Sequence, residues 1–209
     1  MTTALGLSLK VLVAVVPLLA VVGSLLGWCL ARRGFRGRRL FSFLLHLPLV
    51  LPPTVLGFYL LRLFSATPGL QALNLLFTLP AAVLAAFVAG LPLVVTGART
   101  GFAGVPRNVE DAARSLGDSE WRVFWRISLP LARRSLAAGL ALAVARALGE
   151  FGITLMIAGN MPGRTQTLPL YIYGRVEMMD LEGAHLAALV LVSVAVVCLW
   201  VVQRAEGKS

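Results

Sequence analysis

The chain has 209 residues, of which 58% are hydrophobic and only 13% are charged, about half the charged share of an ordinary soluble domain. This length leaves room for one membrane domain and excludes a sizeable soluble one, and the mean hydropathy of +0.86 implies side chains that face lipid or other helices. The formal net charge of +10 comes mostly from arginines between apolar runs, where the positive-inside rule places them, so nucleic acid is not an expected partner.

Five apolar runs are each long enough to cross a bilayer as a helix, which takes about 20 residues. The first is expected to be retained as a helix, because no basic start and small-residue cleavage site surround it. The sequence therefore predicts an all-α integral membrane protein with about five transmembrane helices in a single domain, residues 1–209. The spans are expected at about residues 8–31, 40–62, 79–99, 133–158 and 185–203.

Arginines are unevenly distributed among the loops. Residues 32–39 contain five arginines and no acidic residue, and seven more arginines follow between residues 99 and 134. Residues 159–184 contain two arginines against three acidic residues. The positive-inside rule then places the first two loops in the cytoplasm and the last one outside. Five spans put the N-terminus outside and the tail, with Arg204 and Lys208, in the cytoplasm.

The cytoplasmic loop at about residues 106–130 has the pattern of two short amphipathic helices. Asn108 is expected to cap the first helix, with Asp111 three residues later as in a capping box. Gly117 suits the left-handed position that ends a helix, and Asp118 or Ser119 is expected to cap the second. An apolar stripe on the first helix consists of Val109, Ala112, Ala113 and Leu116.

The second helix of this loop has Trp121, Phe124 and Trp125 on one side and arginines on another. Such a helix pair is compatible with two functions. It could lie on the membrane, with the tryptophans among the headgroups and the arginines on anionic lipid, or it could dock on a partner protein. The spacing alone does not separate these two interpretations.

The loop resembles the EAA loop of bacterial ABC-importer permeases, whose pattern is E-A-A, three residues, G, nine residues, I-x-L-P. Asp111 stands where that family usually has Glu, and Glu110 could replace it only by changing the register. The resemblance implies that the first short helix is the coupling helix, which docks on a cytoplasmic ATPase subunit. The residues that it assigns to coupling are Asp111, Ala112, Ala113, Leu116, Gly117, Ile127, Leu129 and Pro130.

Three further segments resemble molybdate permeases, and the similarity covers nearly the whole chain. They are His46–Pro53 with Gly57, Arg146–Gly152, and Gly159–Pro169. The resemblance implies the type I ABC-importer architecture in the cell inner membrane: a permease homodimer, two ATPase subunits and an external oxyanion-binding protein that delivers molybdate. Sulfate permeases are close relatives and share a version of the third segment, so sulfate or tungstate remains an alternative substrate.

Polar residues at membrane depth and at the outer mouth are further candidates. Arg146 and Glu150 are four residues apart in the predicted fourth span and are expected to share a helix face. They form either a structural ion pair or part of the pathway, because a charge inside the membrane needs a partner or a wet cavity. In the outer loop, Asn160, Arg164, Thr165 and Gln166 either contact the substrate or binding protein or are simply solvated.

No residues with a catalytic pattern are found in the sequence. It lacks the G-x-x-x-x-G-K-[ST] phosphate loop, so ATP hydrolysis would be supplied by a partner subunit. Cys29 and Cys198 lie in apolar runs without metal-ligand spacing, so neither a metal site nor a cofactor is expected. A membrane-embedded enzyme would have only Arg146 and Glu150 available, and a stand-alone secondary transporter would usually show paired repeats, which are not seen.

Overall fold

The computed structural model describes residues 1–207, and every regular element within that range is a helix. Four helices are long and apolar enough to cross a membrane: α1, α5, α7 and α10. The all-α membrane class is therefore confirmed, while Lys208 of the predicted cytoplasmic tail lies outside the described residues. The helices are α1 (Thr2–Arg32), α2 (Arg38–Val50), α3 (Pro53–Ala66), α4 (Pro68–Gln71), α5 (Leu79–Ala103), α6 (Arg107–Ser115), α7 (Glu120–Leu148), α8 (Gly152–Ile157), α9 (Leu168–Glu177) and α10 (Leu181–Gly207).

The second predicted span, residues 40–62, is not one straight helix. It consists of α2 and α3, between which the chain bends by 118°. Pro52 and Pro53 lack the backbone N–H groups that would extend α2, and Leu51, which precedes them, has an extended backbone with ψ 142°. The bend is therefore a consequence of the two prolines.

The bent pair α2–α3 nevertheless counts as one crossing. Arg32 at the end of α1 donates a hydrogen bond to the carbonyl of Val105, just after α5, over 2.8 Å. The 25-residue α5 is about 38 Å long, so its first residue lies at the opposite end from Val105. The chain leaves α1 beside Val105 and therefore has to cross the membrane once before α5 begins. Residues 1–207 thus form five crossings when the bent pair is taken as one, and we call the end with Arg32 and Val105 the basic end.

The opposite end is held by contacts between loops and helices. The backbone N–H of Phe77 donates to the carbonyl of Ile157 over 2.8 Å, so the loop before α5 is joined to the end of α8. The Ser8 hydroxyl accepts a hydrogen bond from the backbone N–H of Leu168, also at 2.8 Å, which anchors the start of α9 on α1. These contacts fix the loops that surround the predicted outer mouth.

The fourth predicted span, residues 133–158, differs from the structure at both ends. α7 begins at Glu120, so the predicted second amphipathic helix is the first part of this spanning helix rather than a separate element. At its other end α7 stops at Leu148, and α8 follows as a short separate helix. A glycine at position 149, a poor helix former, accompanies this break.

The core is built around α5, which packs closely on α1 and α7 through small residues. A Cβ atom added at Gly97 would lie 2.7 Å from the carbonyl oxygen of Ser135 and 2.8 Å from the Cα atom of Gly139. Glycine at both positions therefore lets the backbones of α5 and α7 touch, as small residues commonly do between membrane helices. Six alanines of α5 are also almost fully buried: Ala81, Ala82, Ala85, Ala86, Ala89 and Ala98.

Candidate functional site

The short helix α6 lies at the basic end between α5 and α7, and its two termini differ in how well they were predicted. Pro106 is the N-cap residue and Asn108 is the second residue of the helix, so the predicted Asn108 cap is wrong. At the other end the predicted left-handed Gly117 is confirmed, with φ +90°. The Ser119 hydroxyl accepts from the backbone N–H of Arg122 over 3.4 Å, which confirms the predicted cap of the next helix.

Gly117 is the left-handed residue of a Schellman motif that ends α6. Its N–H donates to the carbonyl of Arg114 over 3.0 Å, and the N–H of Asp118 donates to the carbonyl of Ala113 over 3.1 Å. Both hydrogen bonds satisfy carbonyls that the end of a helix would leave unpaired. The motif therefore fixes the angle between α6 and the start of α7.

The predicted stripe on α6 is mostly exposed. Leu116 is 89% exposed and Val109 is 42% exposed, with Ala112 exposed between them. Only Ala113 turns inward, at 8% exposure. We call Val109, Ala112 and Leu116 the α6 face. These three side chains form a small exposed apolar surface along α6 and at its end.

Glu110, which follows Val109 in α6, is buried to 2% exposure, and the sequence offered it only as a substitute for Asp111 in a changed register. One carboxylate oxygen lies 2.9 Å from Nη2 of Arg32 and accepts a hydrogen bond from the Ser128 hydroxyl at 2.7 Å. The other oxygen lies 3.8 Å from Nη2 of Arg114. We call Glu110, Arg32 and Ser128 the Glu110 cluster, which joins α6 to the ends of α1 and α7.

Around the Glu110 cluster the charges are more exposed. Arg114 donates to Glu120 over 2.7 Å and 3.3 Å and to Asp111 over 2.6 Å. The hydrogen bond to Glu120 raises the pKa of Arg114 above its ordinary value. The Asp111 side chain is 67% exposed, so of the two neighbouring acids it is the one that a partner protein can reach.

The second half of the predicted coupling set lies at the entry to the membrane. Ile127 lies in a π-helical segment, Phe124–Ser128, that widens α7 just before Pro130. Pro130 has no N–H to donate to the carbonyl four residues earlier, so a wider turn at this point is expected. Leu129 packs on the cluster formed by Phe102, Phe124 and their neighbours. Ile127, Leu129 and Pro130 thus lie within α7, and their assignment to coupling stays a prediction.

Arg146 and Glu150 do meet, although they are not on one continuous helix. Arg146 Nη1 lies 2.6 Å from Glu150 Oε2, with side-chain exposures of 31% and 1%. Because α7 ends at Leu148, Glu150 lies after the helix, and its other oxygen accepts from the backbone N–H of Ile153 in α8 over 2.8 Å. Glu150 thus links the end of α7 to the start of α8, which favours the structural interpretation of the pair.

The four candidates in the outer loop do not form one surface. Gln166 donates to Asn160 over 2.8 Å, so these two side chains lie together. Thr165 is 1% exposed, and its hydroxyl donates to the carbonyl of Gly159 over 2.9 Å, so this side chain closes the loop and is inaccessible to a ligand. Arg164 is exposed at the tip of the loop.

Asn160 and Gln166 line an open groove of about 400 Å³ against α9. The sequence did not identify Arg175, which lies over the ring of Tyr171 at 4.9 Å and pairs with Asp180 at 2.7 Å. A hydrogen bond from the backbone N–H of Gly183, together with Arg175, holds the pKa of Asp180 below its usual range. The groove is therefore lined by the amides of Asn160 and Gln166, the guanidinium of Arg175 and the carboxylate of Glu177.

The residues described in the structure contain no group of three His, Cys, Asp or Glu side chains that could hold a metal ion. Cys29 and Cys198 are free thiols, each partly buried. The clusters found at both ends consist of ion pairs and hydrogen-bonding groups. Such arrangements serve to bind, orient and dock.

Comparison with known proteins agrees with this architecture. Residues 21–206 match the family model described as "Binding-protein-dependent transport system inner membrane component". The putative molybdenum transport system permease protein YvgM of Bacillus subtilis is 39% identical, covering 97% of this chain and 92% of that protein. The molybdenum transport system permease protein ModB of Escherichia coli K12 is also 39% identical, covering 92% and 88%. The sulfate transport system permease protein CysW of Synechocystis is 34% identical, covering 99% and 77%. The chain therefore belongs to the family of inner membrane components of binding-protein-dependent transport systems.

Proposed function

We propose that this chain is the permease subunit of an ATP-driven importer that moves molybdate across the inner membrane without changing it chemically. The observation that carries the choice of substrate is the match to permeases named for molybdenum, two of which are 39% identical over more than nine-tenths of this chain. A permease named for sulfate is 34% identical over 99% of it, so sulfate import is the second candidate.

The proposed assembly contains two copies of this chain around a central pathway, two cytoplasmic ATPase subunits and an external oxyanion-binding protein. The α6 face supports an ATPase contact, because Leu116 is 89% exposed on a helix whose other side is fixed by the Glu110 cluster. A side chain of that size exposed to the cytoplasm is best explained by a partner that covers it. In this proposal Asp111, Ala112 and Gly117 present and orient that surface.

Movement of α6 with the ATPase subunits would then change the arrangement of the spans. When ATP draws the two ATPase subunits together, α6 is displaced, and the spans open the pathway towards the outside. ATP hydrolysis reverses the displacement and opens the pathway inward. The outer groove lined by Asn160, Gln166 and Arg175 is proposed to face the binding protein.

We further propose that the basic end faces the cytoplasm, with the N-terminus outside and the C-terminus inside. The arginines at both loops of this end and the contact between Arg32 and Val105 support one common side for them. A reporter that is active only outside the cytoplasm should be active when fused after Gln166 and silent after Gly117. The reverse pattern would refute the orientation.

The test of the transport function is uptake by vesicles that contain the permease, its ATPase and its binding protein. We expect ATP-dependent uptake of radioactive molybdate, competition by tungstate and little competition by sulfate at the same concentration. Uptake of sulfate with no uptake of molybdate would mean that sulfate is the substrate, and the family assignment would still hold. Transport by the purified permease alone without ATP would instead support a secondary transporter.

A further inference from the structure

Glu110 is a buried carboxylate at the point where three membrane-associated elements meet. It belongs to α6, but its carboxylate contacts Arg32 at the end of α1 and Ser128 near the start of the membrane part of α7. Its neighbour Asp111 is 67% exposed, and both acids lie near Arg114, at 2.6 Å for Asp111 and 3.8 Å for Glu110. Consecutive helix residues lie about 100° apart, so Glu110 faces the rest of the protein while Asp111 faces solvent.

The contacts of Glu110 hold α6 from the side that faces away from the α6 face. Arg32 is itself 10% exposed and also donates to the carbonyl of Val105, so the same guanidinium ties down the turn between α5 and α6. A charge-assisted pair and a short hydroxyl bond on one carboxylate oxygen restrict both position and orientation. This one oxygen thus contacts both the end of α1 and the first part of α7.

The geometry points to the Glu110–Arg32 pair as the positioning element that transmits movement of the ATPase-docking helix to the spanning helices. This inference rests on the proposed ATPase contact and goes further, because it separates two roles on one short helix. The α6 face holds the partner, and the Glu110 cluster holds the membrane helices. Changes to the α6 face should therefore reduce ATPase binding, whereas changes to the Glu110 cluster should reduce transport with the ATPase still bound.

Glu110→Gln is the sharpest test, because the amide keeps the size of the side chain and can still accept from Ser128 while the charge is removed. The variant should be measured in the full complex with ATPase and binding protein, reconstituted in vesicles. We expect the ATPase to be retained at the level of the unchanged permease and to hydrolyse ATP at more than half the usual rate. Molybdate uptake per ATP hydrolysed should fall about tenfold.

Arg32→Gln should give at least the same loss, because it also removes the hydrogen bond to Val105. The double variant Glu110→Gln/Arg32→Gln should lose no more than Arg32→Gln alone. That pattern is expected of two groups that act as one unit. Asp118→Asn is the matched control, since it removes a charge pair of 3.0 Å with Arg122 in the same loop without touching the Glu110 cluster. Its uptake per ATP should remain unchanged.

Three results would overturn the inference. Reduced amounts of complex with normal uptake per ATP would mean that the pair only stabilises the fold. Loss of the ATPase from Glu110→Gln would place Glu110 in the docking contact. If the fold-loss of the double variant equalled the product of the two single fold-losses, Glu110 and Arg32 would act independently. Failure of the unchanged permease to bind the ATPase or import molybdate would instead refute the proposed function.

Discussion

Replacing Gly117 with valine should separate ATPase docking from membrane insertion. Gly117 has φ +90°, and apart from Leu116 and Asp118 no described residue has an atom within 4 Å of the position where a Cβ would be placed. The substitution therefore meets no steric clash, and its cost is the left-handed backbone, roughly 1–2 kcal/mol and more for a β-branched residue. Since 1.4 kcal/mol is a factor of ten, the native turn should lose about 5- to 30-fold in population relative to other turns.

The assay is co-purification of the ATPase with affinity-tagged permease, followed by ATP-dependent uptake. Gly117→Val should keep normal expression and membrane insertion but lose most of the bound ATPase and most uptake. Gly117→Asn is the matched control at the same position, because asparagine tolerates this conformation, and it should retain both. Gly163→Val imposes similar strain at φ +75° in the outer loop and should leave ATPase retention intact. Full retention and normal uptake in Gly117→Val would refute the docking role of α6 and favour a helix that lies on lipid.

Two further predictions concern the membrane core. Gly97→Ala should lower the thermal stability of the purified permease, because its Cβ would lie 2.7 Å from a backbone oxygen of α7, and overpacking of this kind costs about 1–3 kcal/mol. Gly6→Ala, at a spanning-helix position with open space, is the control, and equal melting temperatures for both would contradict the packing argument. Arg146→Leu should reduce the yield of folded protein, because it leaves the 1% exposed Glu150 unpaired. Addition of Glu150→Gln should recover part of that yield, since the amide oxygen can still accept from α8; a normal yield of Arg146→Leu without transport would favour a pathway role.

The sequence was most informative where a local conformation depends on one residue. The left-handed Gly117 and the Ser119 cap follow from side-chain chemistry within a few residues, and both are confirmed. The Asn108 cap failed for a similarly local reason. Pro106 suits the N-cap position with its fixed φ of −63°, and helix α6 therefore begins one residue before Asn108.

Glu110 shows what the periodic pattern could not provide. The stripe of Val109, Ala112, Ala113 and Leu116 defines a face, but it does not say which side of the helix is covered by the rest of the protein. Burial of Glu110 depends on Arg32, which is 78 positions earlier in the chain and reaches α6 only because α1 and α5 end side by side. Two features of the sequence could have indicated this ion pair. Glu110 is a second acid next to Asp111, and residues 32–39 contain five arginines with no acidic residue among them.

The sequence did not predict the breaks between α2 and α3 and between α7 and α8, although Pro52, Pro53 and Gly149 were visible in it. In the structure the segments that follow these two breaks are in contact with each other. A Cβ on Gly152, the first residue of α8, would lie 2.8 Å from Cβ of Pro53, the first residue of α3, and a Cβ on Gly57 would lie 2.7 Å from Cβ of Met156. Thus α3 and α8, which follow the two breaks, pack backbone to backbone as one unit at the opposite end from α6. Since irregular backbone at membrane depth requires partners in the protein, each break supplies part of the surroundings that the other one needs. Two short junctions, residues 51–52 and 149–151, join this unit to α2 and α7. The unit also belongs to the core, because Ile153 and Ile157 of α8 pack in the same buried cluster as alanines of α5.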